Sequence, residues 1–278
     1  MIRGVVRPLG LILPLLALLF AGPARAADPA QLQDLFEALH IEATIDVMHD
    51  EGVEYGREIG QDMLPEADSG SWQRVVERIH DKDWMRSSVE NRFAEALQNH
   101  DLTDILDYLQ SADGQEIVDL EIAARRAFLD PGIEQAARDQ LEQRRDDKAP
   151  VLAAIDQLIR DSDLIERNVM GALNSNLVFY NGLVDGGALE MSQADIVADV
   201  WSQEETVRDE ARDWLNAFLL MAYEPLDNAE LQAYVAFYQT PEGQVLNRAM
   251  FEAFDTMYEE LSYILGRALA RHMQSEKL

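Results

Sequence analysis

Apolar residues recur along most of the chain at helical spacing. Phe251, Phe254, Tyr258, Leu261 and Leu265 step by three and four and so line one face of a helix. Leu231, Tyr234, Val235 and Tyr238 do the same. Sustained strand alternation is absent, and glycines and prolines fall between the periodic runs. The pattern predicts an all-α fold. It places helices over 29–39, 41–63, 72–80, 82–99, 102–110 and 112–146, and a second set over 151–160, 163–184, 193–202, 204–224, 228–239 and 241–273. Capping chemistry marks several starts. Asp28-Pro29 supplies an N-cap and a proline at the first helical position, where the missing N–H has no helical partner to lose. Asp227 with Glu230 has capping-box spacing, and Ser192 with Asp195 resembles it. Thr240-Pro241-Glu242 opens a helix with an acid in its first turn, where the helix dipole favours it.

The two sets of helices correspond. Residues 102–115 read LTDILDYLQSADGQ and residues 231–244 read LQAYVAFYQTPEGQ, with a constant offset of 129. Leu, Gln, Gly and Gln are identical, and Tyr108/Phe237, Ser111/Thr240 and Asp113/Glu242 are similar. At the same offset Trp72 meets Trp201 and Leu97 meets Leu226, and Trp84 meets Trp214 after one inserted residue. We therefore expect two tandem, duplicated helical-bundle repeats, 27–148 and 149–278, joined at the charge run that ends in Pro150. The halves are expected to pack on each other, because repeated units of this kind bury a face against their neighbours.

The first residues read as an address. Arg3 and Arg7 precede an apolar run over 9–21, and Ala24-Arg25-Ala26 forms a small-x-small cleavage site. This predicts a secretory signal peptide over 1–26, cleaved after Ala26, and a periplasmic destination; the run is short for a membrane span. No later stretch is long and apolar enough to span a bilayer. The 278 residues carry 23 Lys+Arg against 52 Asp+Glu, a net charge of −29. That charge argues against nucleic-acid binding, which needs a basic face. The absence of cysteine removes disulfides, thiolate metal sites and Cys nucleophiles.

The stretch Phe237-Tyr238-Gln239-Thr240-Pro241-Glu242-Gly243-Gln244 resembles the signature of the DUF2059 family, exported bacterial proteins of unknown function. That signature is an aromatic pair, Ser/Thr-Pro and Gly-Gln at a helix junction. Residues 36–48 are similar to the family's opening helix pair. The first half departs from the motif, with Ala112 in place of the proline and Leu109 in place of the second aromatic. The resemblance implies an all-helical, exported protein and no transferable activity. The motif residues Phe237, Tyr238, Thr240, Pro241, Gly243 and Gln244 read first as a packed helix corner. The functional alternative is a ligand notch against Gly243 with the Tyr238 hydroxyl reading a polar group.

Catalytic and metal chemistry find little to work with. Glu37/His40, Asp46/His49 and Glu77/His80 place an acid and a histidine three apart, as di-iron bundles do, but in a chain this acidic such pairs arise by chance. Asp81-Lys82-Asp83 and Asp161-Ser162-Asp163 begin like calcium loops and then lack the glycine. There is no nucleophile elbow, P-loop or dinucleotide fingerprint, and Ser87-Ser88 has only local proximity to His80. No cofactor is implied. Arg125-Arg126 and Arg144-Arg145 are expected to pair with acids on their own helix. Trp201, Trp214, Phe218, Leu219, Met221 and Tyr223, with the run 251–265, form either a plain core or the lining of an apolar pocket. The sequence thus favours a non-enzymatic exported protein that docks an unknown protein partner through an acidic helical face. Its alternative is a binder of an apolar small molecule or lipid between helices 204–224 and 241–273.

Overall fold

The structure is a computed structural model that describes residues 28–64, 69–147 and 149–275. The expected signal peptide and the boundary residue Lys148 lie outside the described residues. Among the described residues the chain is all-helical, with thirteen helices and no strand. In order they are α1 (Pro29–Ala38), α2 (Ile41–Met63), α3 (Ser69–Ile79), α4 (Lys82–Leu97), α5 (Thr103–Leu109), α6 (Ala112–Ala127) and α7 (Pro131–Asp146). The second half contributes α8 (Pro150–Asp161), α9 (Leu164–Asp185), α10 (Gln193–Ser202), α11 (Glu204–Tyr223), α12 (Asn228–Gln239) and α13 (Pro241–Ser275). No helix among the described residues is long and apolar enough to cross a membrane.

Most starts follow the capping chemistry. The Asp28 carboxylate accepts from Ala30 N, and complete capping boxes form at Ser192/Asp195 and Asp227/Glu230. One expectation is corrected. Residues 112–146 form two helices, because Asp130-Pro131 repeats the device of Asp28-Pro29: the Asp130 carboxylate accepts from Gly132 N at 2.8 Å and Pro131 opens α7.

Each half also begins its second helix in the same unusual way. His40, before α2, and Asp163, before α9, both take left-handed backbone, with φ of 47° and 52°. His and Asp are among the side chains that tolerate this region best, although it costs each of them something. The tight corner turns α1 onto α2 and α8 onto α9.

Among the described residues the largest of three apolar core clusters runs through both halves. α13 packs on α9 of its own half and on α3 and α4 of the other, while α11 packs on α6 and α7 as well as on α8 and α9. The ring contacts mark this exchange. Phe93 of α4 meets Phe254 edge-on at 6.2 Å, Phe128 meets Trp214 at 5.7 Å and Phe218 at 5.8 Å, and Tyr108 stacks on Phe237 at 4.1 Å. Arg144 reinforces it by pairing with Glu224 beyond α11, and Arg125 by donating to Tyr258 of α13. Here too the expectation is corrected: the ion-pair partners are Glu224 for Arg144 and Glu51 of α2 for Arg125, not acids on their own helix.

α9 and α13 lie so close that glycine is required on each. A Cβ on Gly182 would stand 2.4 Å from the Tyr263 carbonyl oxygen, and one on Gly266 would stand 2.3 Å from that of Phe179. Because the obstacle is backbone, Gly266→Ala is expected to destabilise the fold by about 1–3 kcal/mol, measured by urea unfolding. A second prediction concerns pH. His80 is buried against Gly52, donates from Nδ1 to the Val76 carbonyl and has its pKa lowered below the usual 6.5, first by burial. The unfolded chain takes up this proton more readily, so the contribution of neutral His80 is present above about pH 6.5 and is lost as pH falls below it. The parent protein should therefore lose thermal stability relative to His80→Leu between pH 7.5 and 5.5.

Candidate functional site

Where α2, α6, α11, α12 and α13 meet, they leave a cavity of about 330 Å³. The corners at the ends of α1 and α8 close it with Leu39, Ile41, Ser162 and Leu164. Its two facing walls come from the helices that follow the two motif junctions. On α6, Val118, Glu121, Ile122 and Arg125 point inward at helical spacing; on α13, Asn247, Met250, Phe251 and Phe254 occupy the positions 129 residues on. The walls thus match in backbone and differ in chemistry. Glu121 stands opposite in the pattern to Met250, and Arg125 to Phe254. Trp214, Leu215, Phe218 and Leu219 of α11 complete an apolar lining.

The polar groups are held in two clusters. Glu121 Oε1 accepts from Tyr223 Oη at 2.5 Å and from Tyr234 Oη at 2.7 Å. Burial pushes the Glu121 carboxyl pKa up, and these two hydrogen bonds oppose it. Its remaining exposure is intermediate and opens onto the cavity it lines. The three tyrosines around it, Tyr223, Tyr234 and Tyr238, are all raised, first by burial and then by the Glu121 charge. The second cluster is Arg125, which donates twice to Glu51, from Nε and Nη2 at 2.8 Å each, and from Nη2 to Tyr258 Oη at 3.0 Å. Nearby, burial and the adjacent Glu259 raise Asp255 to about 6, against the pull of Arg167. The buried Ser162 hydroxyl lines the cavity without a protein hydrogen-bond partner.

The sequence motif proves to be a corner clamp. Thr240 Oγ1 donates to the Phe237 carbonyl at 2.7 Å and accepts from Gly243 N at 3.0 Å, and Pro241 opens α13. Gln244 Nε2 donates to the carbonyls of Tyr238, at 2.6 Å, and of Asp161, at 3.0 Å, tying the junction to the end of α8. The first half makes the same bonds: Ser111 Oγ to Tyr108 O, Gly114 N to Ser111 Oγ, and Gln115 Nε2 to the carbonyls of Leu109 and Ala38. The alternative of a notch at Gly243 is ruled out, since a Cβ there would lie 2.2 Å from the Phe237 carbonyl oxygen. Of the six motif residues Tyr238 alone lines the cavity; Phe237 stacks on Tyr108 beside it.

The other candidates scatter. His40 bonds Gln115 Oε1 through Nε2 at 3.1 Å and lies 3.2 Å from Asp119, while His49 donates to the His80 carbonyl at 2.6 Å. Asp46 receives Lys82. Among the described residues no group of three or more His, Asp or Glu is placed to hold a metal ion. Asp81 caps α4 through Trp84 N, Asp161 accepts from Gln239, and Ser88 reaches Glu260. Of the aromatic set, Trp214, Phe218, Leu219 and Tyr223 line the cavity, but Trp201 is 53% exposed. Sequence reasoning missed Glu121. The signal was present as a carboxylate at a position where the matching pattern of the second half has Met250.

No family model, curated protein or solved structure matches the chain. The likeness to the DUF2059 family therefore rests on the residues quoted for it.

Tyr223→Phe is expected to cost about 1.5–3 kcal/mol in urea unfolding, the range for a hydrogen bond to a charged partner, and more than Tyr263→Phe at the exposed Asp185 contact.

Proposed function

We propose that this is an exported, duplicated helical protein that binds one small, largely apolar molecule in the cavity between its halves. The carrying observation is the cavity of about 330 Å³, lined by apolar side chains of α11 and α13 with Asn247 and Asp255 among them, and bearing fixed polar groups on α6. That volume lies at the lower end of the range for small-molecule sites, and few convergent polar groups in an apolar lining is their usual composition. The corner hydrogen bonds repeated from Ser111 and Gln115 to Thr240 and Gln244, an offset of 129, and the acceptors Ala38 and Asp161 and left-handed His40 and Asp163, an offset of 123, support duplication of 27–148 as 149–278. Duplication gives two related walls, and divergence at Glu121/Met250 and Arg125/Phe254 makes one wall polar. The leader pattern over 1–26 and the DUF2059-like motif support a periplasmic site of action. Docking of a protein partner on an acidic face has net charge behind it but no single defined surface, so the cavity carries the reading.

Native mass spectrometry of the mature protein, purified without detergent from its own compartment, tests it. The expected result is an added mass of about a few hundred daltons that is lost on denaturation. Leu219→Trp, which fills the cavity from α11, should arrive bare. Equal bare masses for parent and variant, persisting when apolar extracts are added back, contradict the reading.

A further inference from the structure

We propose that the ligand of this cavity carries a cationic amine, with its ammonium group on Glu121 and its apolar body against α13. The inference rests on the cavity being a binding site and adds the chemical class of what it takes. Glu121 is the starting point. One of its oxygens is held by Tyr223 and Tyr234, and no Lys, Arg or His among the described residues forms an ion pair with it. Buried carboxylates are ordinarily paired with a cation or kept protonated. The nearest basic residue on its own helix, Arg125, is paired through Nε and Nη2 with both oxygens of Glu51 and with Tyr258. That pairing already offsets the Arg125 charge with the Glu51 carboxylate.

The surroundings favour the same ligand. Tyr223, Tyr234 and Tyr238 line the cavity next to the carboxylate, and Trp214 and Phe218 line it from α11. Aromatic rings attract ammonium groups through their quadrupole, most strongly where water is excluded. The raised pKa of Glu121 marks an anion short of stabilisation, which a bound ammonium would supply. On the opposite wall Met250, Phe251 and Phe254 offer apolar surface to the remainder of the molecule, with Asn247 and Asp255 on the same helix. The net charge of −29 draws cations toward the protein at long range.

Calorimetric titration of the full mature chain with 4-phenylbutylamine, 4-phenylbutanol and 4-phenylbutyrate tests the assignment, since the three share a tail and differ in head group. The amine should bind at least about tenfold more tightly than the alcohol, and the carboxylate more weakly than either. Glu121→Gln should remove the amine's advantage and leave the alcohol's affinity unchanged. The assignment is overturned if the alcohol or the carboxylate binds as tightly as the amine, or if Glu121→Gln leaves amine affinity intact. The three-probe comparison on the unaltered chain decides the matter even if the variant does not fold. Tight alcohol binding without discrimination keeps the cavity reading and removes the amine; failure of all three probes removes both.

Discussion

The two halves of this chain each leave apolar surface that the other half covers. α4 turns Met85, Val89, Phe93 and Leu97 inward, and α13 lies on that face; α11 in turn lies on α6 and α7. The largest rings of the core meet across the halves, Phe93 with Phe254, Phe128 with Trp214 and Phe218, and Tyr108 with Phe237. Burial of this kind is the main favourable term in folding, and here much of it exists only when both halves are folded. Beyond Phe254, α13 crosses α9 closely at Gly182 and Gly266, and its far end packs with Trp72 and Leu64 of the first half.

The cavity follows from the same arrangement. Two similar corner clamps bring α6 and α13 into the core at comparable positions, so their second and third turns face a shared space. On the reading that the halves arose by duplication, an exactly matched pair of walls would give a featureless apolar gap, open to closure by larger side chains. Divergence at two positions, Glu121 and Arg125, gives the space a polar side instead. Arg125 is paired with Glu51 and acts as a strut between α2, α6 and α13. Glu121, held only by tyrosine hydroxyls, remains available to a ligand.

Much of the fold was legible because helix formation is governed by local signals. The periodicity fixed the class, and Asp28, Ser192, Asp227 and Thr240 marked starts that the structure reproduces as side-chain caps. The break at Pro131 was overlooked within a long run of charged helix formers, although its Asp-Pro pair is the same signal as at Pro29. The candidate site was less legible because it depends on tertiary pairing. Tyr238 could be singled out from its motif, but whether its neighbour Gly243 opened a notch depended on where the α12 backbone passes. Glu121 was one acid among many, and Trp201 matched Trp72 in the pattern yet faces solvent while Trp72 is buried. Periodicity says which face of a helix is apolar; it does not say which partner covers it.

The central claim is that the halves form one cooperative unit around the cavity. Equilibrium urea unfolding of the mature chain, followed separately through tryptophans of each half, tests it most directly. One sample would retain only Trp72 and Trp84 and the other only Trp201 and Trp214, each with the remaining pair changed to phenylalanine. Each sample would be followed by fluorescence and, alongside, by far-ultraviolet circular dichroism for the whole backbone. The account predicts that in each sample the two signals give a single coincident transition. A first half that unfolds at a separate denaturant concentration from the second would contradict it.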